Sequence, residues 1–236
     1  MYVYGRNVAK ELIKEKNKKI KFVILQENFQ DKELISLLKS TNLPIKIMKR
    51  REMDNLVGEE NQGIILSIED YKYQPLESMN LNKEDCLLLL LDHIEDPHNL
   101  GAIIRTSEAA GVDGIIIPKD RAAKVNATVM KTSAGALPFV KLAEVSNLNQ
   151  TIEILKKKGF WIVGTSLTEE SVDYDSIDYK GKIALVIGNE GKGISRLVQE
   201  NCDFIAKIPM FGEINSLNAS VATGIMIYEV IRSRKR

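Results

Sequence analysis

Three polar loops in the second half of the chain carry the residue types that could do chemistry. The loop 92–105 combines carboxylates, both histidines and an arginine, the loop 188–193 is rich in glycine, and the loop 208–220 carries amide and hydroxyl side chains. Each loop follows an apolar stretch typical of a strand, and ligands bind at the carboxyl ends of strands in open α/β sheets. We therefore expect the three loops to converge on one binding site.

The first loop contains groups that are ordinary metal ligands. Four of them lie close together, namely His93, Glu95, Asp96 and His98. No further cluster of such side chains accompanies them in the sequence. Loop polarity and helix capping by Asp96 or Asn99 account for these residues, so we expect no metal.

The second loop has the spacing G-x-x-G-x-G between positions 188 and 193. This is neither the dinucleotide-binding fingerprint nor the P-loop, in which Ser or Thr would follow Lys192. Glycines permit left-handed backbone angles and let main-chain N–H groups come close to a ligand. Taken alone, the loop is equally typical of a tight turn.

The third loop leads into the last helix, which we predict over residues 217–231. Asn215 and Ser216 stand where this helix would begin, and the N–H groups of its first turn would point toward a ligand together with the side chains of Ser216 and Asn218. The helix is apolar almost all round, and a helix without a polar face has to be buried. We therefore expect a second copy of the protein to cover part of it, as in a homodimer.

The elements before residue 70 predict a small α/β domain. Apolar residues at helical spacing, and short apolar runs, predict helices over 7–16, 31–39 and 52–57 and strands over 21–25, 45–48 and 63–68. Residues 69–85 then carry a proline, tyrosines and asparagines without a sustained period, which is typical of a linker. The expected organisation is a first domain over 1–70 and a linker over 71–85.

Residues 86–236 predict a second α/β domain. The run 86–91 is continuously apolar, as in a strand covered on both faces of a parallel sheet. Helix-type and strand-type stretches alternate after it, which predicts a parallel sheet with helices on both faces. These stretches are 100–110, 114–118, 127–133, 139–142, 148–158, 160–165, 183–188, 194–200, 204–208 and 216–232.

Composition limits the class of protein without identifying its partner. Apolar residues make up 44% and charged residues 28% of the chain, values that predict a folded globular protein rather than a disordered one. The formal net charge is +1, so binding of a nucleic acid would require local basic patches. Candidate patches, each also explained as a solvated face or a chain end, are Lys16, Lys18, Lys19 and Lys21, then Lys49, Arg50 and Arg51, then Arg232, Arg234, Lys235 and Arg236.

The cysteines and the apolar stretches predict a cytoplasmic protein without a membrane partner. Cys86 and Cys202 are far apart and form no paired-cysteine motif, which suits a reducing compartment. Residues 1–7 lack the basic and then apolar run of a signal peptide. The fully apolar stretch 87–91 is far shorter than the roughly 20 residues needed to cross a bilayer.

In chain order, the three loops resemble the three signature motifs of the SpoU/TrmH methyltransferases, members of the SPOUT superfamily. The matching segments are DPHNLGAIIRTSEAAG at 96–111, IGNEGKGI at 187–194 and IPMFGEINSLNAS at 208–220. Two further segments, KTSAGA at 131–136 and GFWIVG at 159–164, are similar to the ribosomal RNA branch of the family. The resemblance covers residues 87–231.

The resemblance implies a fold that periodicity does not predict. In the family, the C-terminal part of the chain is threaded through a loop as a deep trefoil knot, an exception to the ordinary rules for chain connections. The segments VYGRN at 3–7 and QGII at 62–65 resemble the small α/β RNA-binding domain, similar to the ribosomal protein L30e, that precedes the catalytic domain. Asn61 departs from this pattern, because these enzymes often have histidine there.

The resemblance also implies the chemistry and the residues that carry it. The chain is expected to move a methyl group from S-adenosyl-L-methionine to a ribose 2′-hydroxyl of RNA, on a guanosine of 23S ribosomal RNA. The residues expected to bind this cofactor are Gly188, Ile208 and Leu217, with Thr165, Ser166 and Met210 beside them. The residues expected to act in catalysis are Arg105, Asn99, Glu190, Ser216 and Asn218.

Arg105 has two alternative roles under this interpretation. The family is often described with this arginine as the general base. A guanidinium stays protonated at neutral pH and is a poor base, so we favour a role in which Arg105 holds the flanking phosphate and polarises the hydroxyl. Asn99 would then orient Arg105 or the ribose, and Asn218 would hold Arg105.

Three alternatives to a 23S ribosomal RNA methyltransferase stay open at this point. A tRNA ribose methyltransferase shares all three motifs, although the N-terminal domain favours ribosomal RNA, and an antibiotic-resistance rRNA methyltransferase is another member of the family. From a different class, a non-catalytic RNA-binding protein would keep the fold, although Arg105, Glu190 and Asn218 are intact here. A Rossmann-type methyltransferase is excluded, because no G-x-G-x-G follows the first strand of the catalytic domain.

Overall fold

The computed structural model describes residues 1–14, 20–191, 193–213 and 215–235. The strands are β1 (Tyr2–Tyr4), β2 (Ile20–Gln26), β3 (Ile45–Met48), β4 (Ile64–Ile68), β5 (Leu87–Leu91), β6 (Gly114–Pro118), β7 (Leu142–Val145), β8 (Trp161–Thr165), β9 (Val172–Asp173), β10 (Ile183–Ile187) and β11 (Phe204–Lys207). The helices are α1 (Arg6–Lys14), α2 (Lys32–Lys39), α3 (Arg50–Val57), α4 (Pro97–Ala109), α5 (Ala127–Thr132), α6 (Leu148–Lys157), α7 (Arg196–Glu200) and α8 (Ala219–Arg234).

Contacts divide the chain into two compact units. The N-terminal unit comprises Met1–Lys72 and Val125–Gly135, and the C-terminal unit comprises Tyr73–Lys124 and Ala136–Arg236. No helix in the described part of the chain is both long and apolar enough to span a membrane.

The N-terminal unit is built on a four-stranded sheet in the order β1-β4-β2-β3. Strand β4 is antiparallel to β1 and β2, whereas the edge strand β3 is parallel to β2. On one face of the sheet, Leu12 of α1 and Leu34 of α2 belong to a buried apolar cluster. On the other face, Met53 of α3 packs with Ile24 and Ile65. Each face is thus closed by helices that the sequence marks with periodic apolar residues.

Helix α5 belongs to the N-terminal unit although it lies far along the chain. Met130 packs against the apolar cluster that contains Leu12, and Lys131 pairs with Glu60 at 3.2 Å. The chain therefore leaves this unit after Lys72, re-enters it at Val125 and leaves it again after Gly135.

The C-terminal unit is built on a seven-stranded sheet in the order β7-β6-β5-β10-β8-β11-β9. All the neighbouring strands pair in parallel. Strand β10 lies between β5 and β8, with Ile183 opposite both Leu87 and Trp161. The strand order therefore reverses between β5 and β10, which is the place where open α/β sheets bind ligands.

The structure confirms an α/β fold with a parallel sheet and corrects some of the predicted elements. The predicted strand 139–142 is wrong in position, because Leu137–Phe139 form a 3₁₀ turn and β7 begins only at Leu142. Pro138 cannot donate to a sheet, so pairing starts after it. The last helix begins at Ala219 and not at Ser216, because the side chain of Asn218 accepts the N–H of Ser220 and caps it.

Part of the predicted linker 71–85 packs in the core of the C-terminal unit. Met79 and Leu81 are buried there among residues of the parallel sheet. A Cβ at Gly114 would lie 2.6 Å from the sulfur of Met79, so strand β6 and this segment fit each other closely. The end of the predicted helix 7–16 and the candidate basic residues Lys16, Lys18 and Lys19 lie outside the described residues.

Candidate functional site

A cavity of about 430 Å³ opens at the carboxyl ends of β8, β10 and β11, beside the start of α8. Its volume is in the range of small-molecule sites. All six residues predicted to bind a cofactor line it, namely Thr165, Ser166, Gly188, Ile208, Met210 and Leu217. Glu190 and Ser216, from the predicted catalytic set, line it as well.

The first loop is fixed by the cap of helix α4. The carboxylate of Asp96 accepts the N–H of His98 at 2.9 Å, and Pro97 occupies the first helical position, where its missing N–H costs nothing. Asn99 is thereby held in the first turn. Its side-chain amide donates to Oε1 of Glu190 at 2.9 Å, which connects the first loop to the glycine-rich loop.

Glu190 is the point where all three loops meet. Besides the amide of Asn99, its Oε1 accepts the side-chain amide of Asn218 and, at 3.0 Å, the backbone N–H of Ala219. The Asn218 amide also donates to Oδ1 of Asn99 at 2.9 Å. Three segments that lie far apart in sequence are thus joined by side-chain hydrogen bonds beside the cavity, as the sequence predicts for the loops.

The glycine-rich loop folds back so that a side chain at Gly188 has no room. Asn189 and Gly193 exchange backbone hydrogen bonds of 3.1 and 2.8 Å. A Cβ at Gly188 would lie 2.1 Å from the carbonyl carbon of Gly193, a distance that forces the backbone to move. Gly193 has a φ of 65°, in the left-handed region. The wall of the cavity at this point is therefore bare backbone.

Asp92 is a supporting residue that the sequence analysis did not single out. It is only 2% exposed, and its Oδ2 accepts the N–H of Ser195, just beyond the glycine-rich loop, at 2.6 Å. Its Oδ1 lies 2.7 Å from Nδ1 of His93, and the carbonyl of His93 accepts the side chain of Asn189 at 3.3 Å. A carboxylate directly after a fully apolar strand is the signal in the sequence that could have indicated this role.

Arg105 is placed differently from the other predicted site residues. It is exposed on α4 and does not line the cavity. None of the described residues forms a hydrogen bond or an ion pair with its guanidinium. The side chains of Asn99 and Asn218, which the sequence analysis expected to hold Arg105, bind each other and Glu190 instead.

The cavity has further lining residues that the sequence analysis missed. They include Leu167 after β8, Asn189 in the glycine-rich loop and Ala222 in the first turn of α8. Each follows a predicted strand or begins the predicted last helix, so position alone could have suggested them. Leu167, Ile187 and Leu217 give the cavity an apolar part, whereas Ser166, Asn189 and Ser216 give it polar groups.

The cysteines and the possible metal ligands do not form a reactive centre in the described part of the chain. Burial raises the pKa of the Cys86 and Cys202 thiols to about 12, so both stay protonated at neutral pH and are poor nucleophiles. Among the described residues, no three His, Cys, Asp or Glu side chains are grouped to hold a metal ion.

The fold and the cavity define an α/β protein with a parallel sheet and a small-molecule-sized cavity at the carboxyl ends of β8, β10 and β11. Residues 86–228 match the SpoU rRNA Methylase family, and residues 2–74 match the family described as RNA 2′-O ribose methyltransferase substrate binding. The protein belongs to the SpoU rRNA methylase family and is an RNA methyltransferase, as the three sequence motifs predict.

Relatives match both units of the chain. The protein is 41% identical over 239 residues to the TrmH family tRNA/rRNA methyltransferase YacO of Bacillus subtilis (strain 168), with 99% of this chain and 96% of that protein covered. The SpoU methyltransferase AviRb from Streptomyces viridochromogenes, in complex with the cofactor AdoMet, is similar with a TM-score of 0.84 at 25% identity, over 100% of this chain and 90% of that chain. The A. aeolicus TrmH/SpoU tRNA modifying enzyme is 36% identical with a TM-score of 0.58, over 68% of this chain and 82% of that chain.

Proposed function

We propose that the protein transfers a methyl group from S-adenosylmethionine to a ribose 2′-hydroxyl of RNA, on a guanosine of 23S ribosomal RNA in the cytoplasm. The observation that carries this proposal is the network of Asn99, Glu190 and Asn218, which joins the three motifs at the edge of the cavity. In this proposal the cavity holds the methyl donor, and the exposed polar network beside the cavity contacts the RNA.

The residues of the cavity suit S-adenosylmethionine. Its flat adenine needs apolar walls, which Leu167, Ile187 and Leu217 provide, and its hydroxyl, amino and carboxylate groups need polar partners such as Ser166 and Ser216. The backbone beside Gly188 is bare because a Cβ there would collide with Gly193, so main-chain groups are open to a ligand. The structure of AviRb in complex with AdoMet supports the same methyl donor for the protein described here. When bound, S-adenosylmethionine supplies an electrophilic methyl group on its sulfonium.

The six predicted cofactor residues would hold the donor in this cavity. Gly188, Ile208 and Leu217 would contact it through the backbone of the second and third motifs. Thr165, Ser166 and Met210 would complete the cavity. The hydroxyl of Thr165 donates to the carbonyl of Val186 at 3.1 Å, so the end of β8 is tied to β10 and forms a rigid part of this wall.

Arg105 faces the RNA and not the donor in this proposal. Its exposed guanidinium has no partner among the described residues, so it is available to hold the phosphate beside the target ribose and to polarise the 2′-hydroxyl. A guanidinium binds phosphate bidentately and stays charged. This role requires no proton to leave Arg105 and therefore agrees better with its chemistry than the role of general base.

Asn99, Glu190, Ser216 and Asn218 would position the target nucleotide. Because Oε1 of Glu190 accepts from three donors, the carboxylate is fixed in orientation, and its Oε2 faces no donor among the described residues. Ser216 lines the cavity beside this network. Alignment of the ribose oxygen with the methyl group is worth roughly 7–11 kcal/mol in well-oriented systems, so positioning is the main task of this site.

The N-terminal unit favours ribosomal RNA over transfer RNA as the substrate. It matches the substrate-binding family over residues 2–74, whereas the A. aeolicus tRNA modifying enzyme matches only 68% of this chain. We assign RNA binding to residues 1–70 and catalysis to residues 86–236, with 71–85 between them. The alternatives are a tRNA ribose methyltransferase and a methyltransferase for antibiotic resistance.

The decisive experiment measures methyl transfer from radiolabelled S-adenosylmethionine to two unmodified RNAs made by transcription in vitro, 23S ribosomal RNA and transfer RNA. We expect label in the 23S RNA at a guanosine that resists alkaline cleavage, because a 2′-O-methyl group removes the attacking hydroxyl. Label in transfer RNA alone would support the alternative substrate. Binding of S-adenosylmethionine without transfer to either RNA would contradict the proposal and favour a non-catalytic RNA-binding protein.

We further propose that two copies of the C-terminal unit form a homodimer through α8. This helix has six buried positions, but Val221 and Tyr228 are 50% and 52% exposed, and such large apolar side chains are suited to a subunit interface. Sedimentation of the wild type as a dimer and of the Tyr228→Glu variant as a monomer would support the proposal. A wild-type monomer at micromolar concentration would refute it.

We also propose that the C-terminal unit carries the trefoil knot of the family and that the N-terminal unit has the fold of ribosomal protein L30e. The late strand β10, which lies in the middle of the sheet between β5 and β8, agrees with a threaded chain. A crystal structure in which the C-terminal segment does not pass through a loop of the preceding chain would contradict the knot.

A further inference from the structure

The edge strand of the N-terminal unit is exposed and followed by basic residues. Strand β3 pairs with β2, and on its other side no described strand pairs with it. Ile45 and Ile47 of this strand are 45% and 61% exposed. Lys46 lies between them, and Lys49 and Arg51 follow at the start of α3. We refer to Lys46, Lys49 and Arg51 as the basic edge.

Lys46 is held on the sheet by an aromatic side chain. Its Nζ lies 4.1 Å from the centre of the Phe22 ring, a distance typical of a cation–π contact. Phe22 itself is only partly buried and meets the ring of Tyr2 edge-on at 6.5 Å. The ammonium group is therefore positioned at the surface by a neutral partner that leaves its charge uncompensated.

The charges of the basic edge have no carboxylate partners in the described part of the chain. No ion pair within 4.0 Å is formed there by Lys46, Lys49 or Arg51. The neighbouring Arg50 is different, because it pairs with Asp54 at 2.8 Å. The nearest acid in sequence, Glu52, is bound by its carboxylate to the backbone N–H of Lys49 at 2.9 Å. In a chain with a net charge of only +1, this segment is a local excess of positive charge.

We propose that the basic edge is the surface on which the N-terminal unit docks the phosphate backbone of its RNA substrate. The inference rests on the proposed function, because it takes RNA to be the substrate. Lys46 lies in β3, and Lys49 follows it in extended conformation as the N-cap of α3. At a rise of about 3.3 Å per residue, their Cα atoms lie roughly 10 Å apart along the chain, a spacing that suits an extended polyanion. Contacts of this kind position the RNA without reading its sequence.

Lysine on an exposed strand edge also has a purely structural use, because it discourages pairing with the edge of another protein. The two roles differ in their dependence on salt. Each phosphate contact releases counterions, so the slope of log affinity against log salt falls by about 0.7–0.9 when one contact is removed. A lysine that only protects the edge leaves this slope unchanged.

The test compares two full-length double variants, Lys46→Gln with Lys49→Gln and, as the matched control, Lys32→Gln with Lys39→Gln on helix α2. The control residues are also exposed and without an ion pair in the described structure, and both variants lose the same charge. Affinity for unmodified 23S ribosomal RNA transcribed in vitro is measured between low and moderate salt. Binding of S-adenosylmethionine in each variant serves as the check that the protein is folded.

We expect the basic-edge variant to lose affinity on the order of tenfold at low salt and its slope to fall by about 1.5, with little change in the control. If the basic-edge variant kept the RNA affinity and salt dependence of the wild type, the inference would be overturned. An equal loss of affinity in both variants would also overturn it, because that result would show an effect of net charge and not of this surface. If the wild type methylates neither 23S RNA nor transfer RNA, the proposed function fails instead. The two failures are thereby distinguishable.

Discussion

Glu190 and Arg105 differ in the hydrogen bonds that they form within the protein. Oε1 of Glu190 accepts hydrogen bonds from Asn99, Asn218 and Ala219, whereas Arg105 is exposed and has no partner among the described residues. Because Glu190 is held by three hydrogen bonds, it is suited to positioning its neighbours. Because Arg105 has no partner in the described structure, its guanidinium is available to bind the substrate. The substitutions below separate these two kinds of residue.

Replacing Arg105 should reduce the rate of methyl transfer and leave donor binding intact. Removal of one group that stabilises a transition state typically lowers kcat by about 10²–10³-fold, and we expect this for Arg105→Ala. Arg105→Lys should retain part of the activity, because it keeps the charge that binds the phosphate. Turnover and calorimetric binding of S-adenosylmethionine would be measured side by side, and unchanged turnover in Arg105→Ala would exclude any catalytic role.

Replacing Glu190 should affect both donor binding and turnover. Glu190→Ala removes the acceptor of two exposed side-chain amides, which water can replace, and of the part-buried N–H of Ala219, for which the loss is about 1 kcal/mol. Glu190→Gln keeps an oxygen for these donors and should recover much of the binding. Equal dissociation constants for S-adenosylmethionine in the wild type and Glu190→Ala would show that the network does not support the cavity.

Replacing Gly188 tests whether the close backbone contact shapes the cavity. In Gly188→Ala the new Cβ would lie 2.1 Å from the carbon of Gly193, so the loop has to move, and we expect donor affinity to fall by at least about tenfold, which corresponds to roughly 1.4 kcal/mol. The matched control is Gly191→Ala, where the nearest atom lies at 3.5 Å. Similar donor affinities in the two variants would contradict this explanation.

At the scale of elements, the sequence predicted most helices and strands but not how they come together. Strand β5 was clear because all its residues are apolar. Helix α4 was predicted over 100–110 with Asp96 or Asn99 as its cap, and it begins earlier, at Pro97, because Asp96 is the cap. Strand β1 was missed because three residues carry too little pattern. The position of β10 between β5 and β8 depends on long-range pairing, which no local pattern contains. The residues of the cavity were predictable because the motifs were recognisable, whereas the contacts of Asn99 and Asn218 were not.

The end of helix α8 is fastened to the sheet by one side chain. The guanidinium of Arg234 donates to the carbonyl of Asp85 at 2.8 Å and to that of Gly181 at 2.7 Å, with longer bonds to the carbonyls of Cys86 and Tyr179. These carbonyls precede β5 and β10. Burial lowers the pKa of Arg234 from its ordinary value, in agreement with a guanidinium that is partly removed from water.

Removing this attachment should destabilise the C-terminal unit without touching the cavity. We expect Arg234→Gln to lower the free energy of unfolding by about 2–3 kcal/mol, because hydrogen bonds to charged groups are worth about 1.5–3 kcal/mol and the carbonyls lose their donors. Urea unfolding would measure the change, with Arg196→Gln as the control, since Arg196 only pairs with Glu200 on the surface. Equal urea concentrations at the midpoint of unfolding for the two variants would contradict the prediction.

At the scale of the whole molecule, the two thiols report on the folded state. Burial raises the pKa of Cys86 and Cys202 from 9.0 to about 12, so the folded protein holds protons that the unfolded chain releases earlier. Their contribution to stability is therefore present below pH 9 and is lost as the pH rises toward 12. At pH 8 we expect slow labelling by a disulfide reagent in the native protein and rapid labelling in urea. Fast labelling without urea would show that the thiols are accessible.

The path of the chain limits how this protein can be divided into fragments that fold. Because α5 packs in the N-terminal unit, a fragment that ends at Lys72 lacks a piece of its own core, and a fragment that begins at Tyr73 carries that piece as an unsupported insertion. The chain thus passes between the two units three times, after Lys72, before Val125 and after Gly135, instead of once. Exchange of these units between relatives, in the laboratory or in evolution, has to carry the inserted helix along with the first seventy residues.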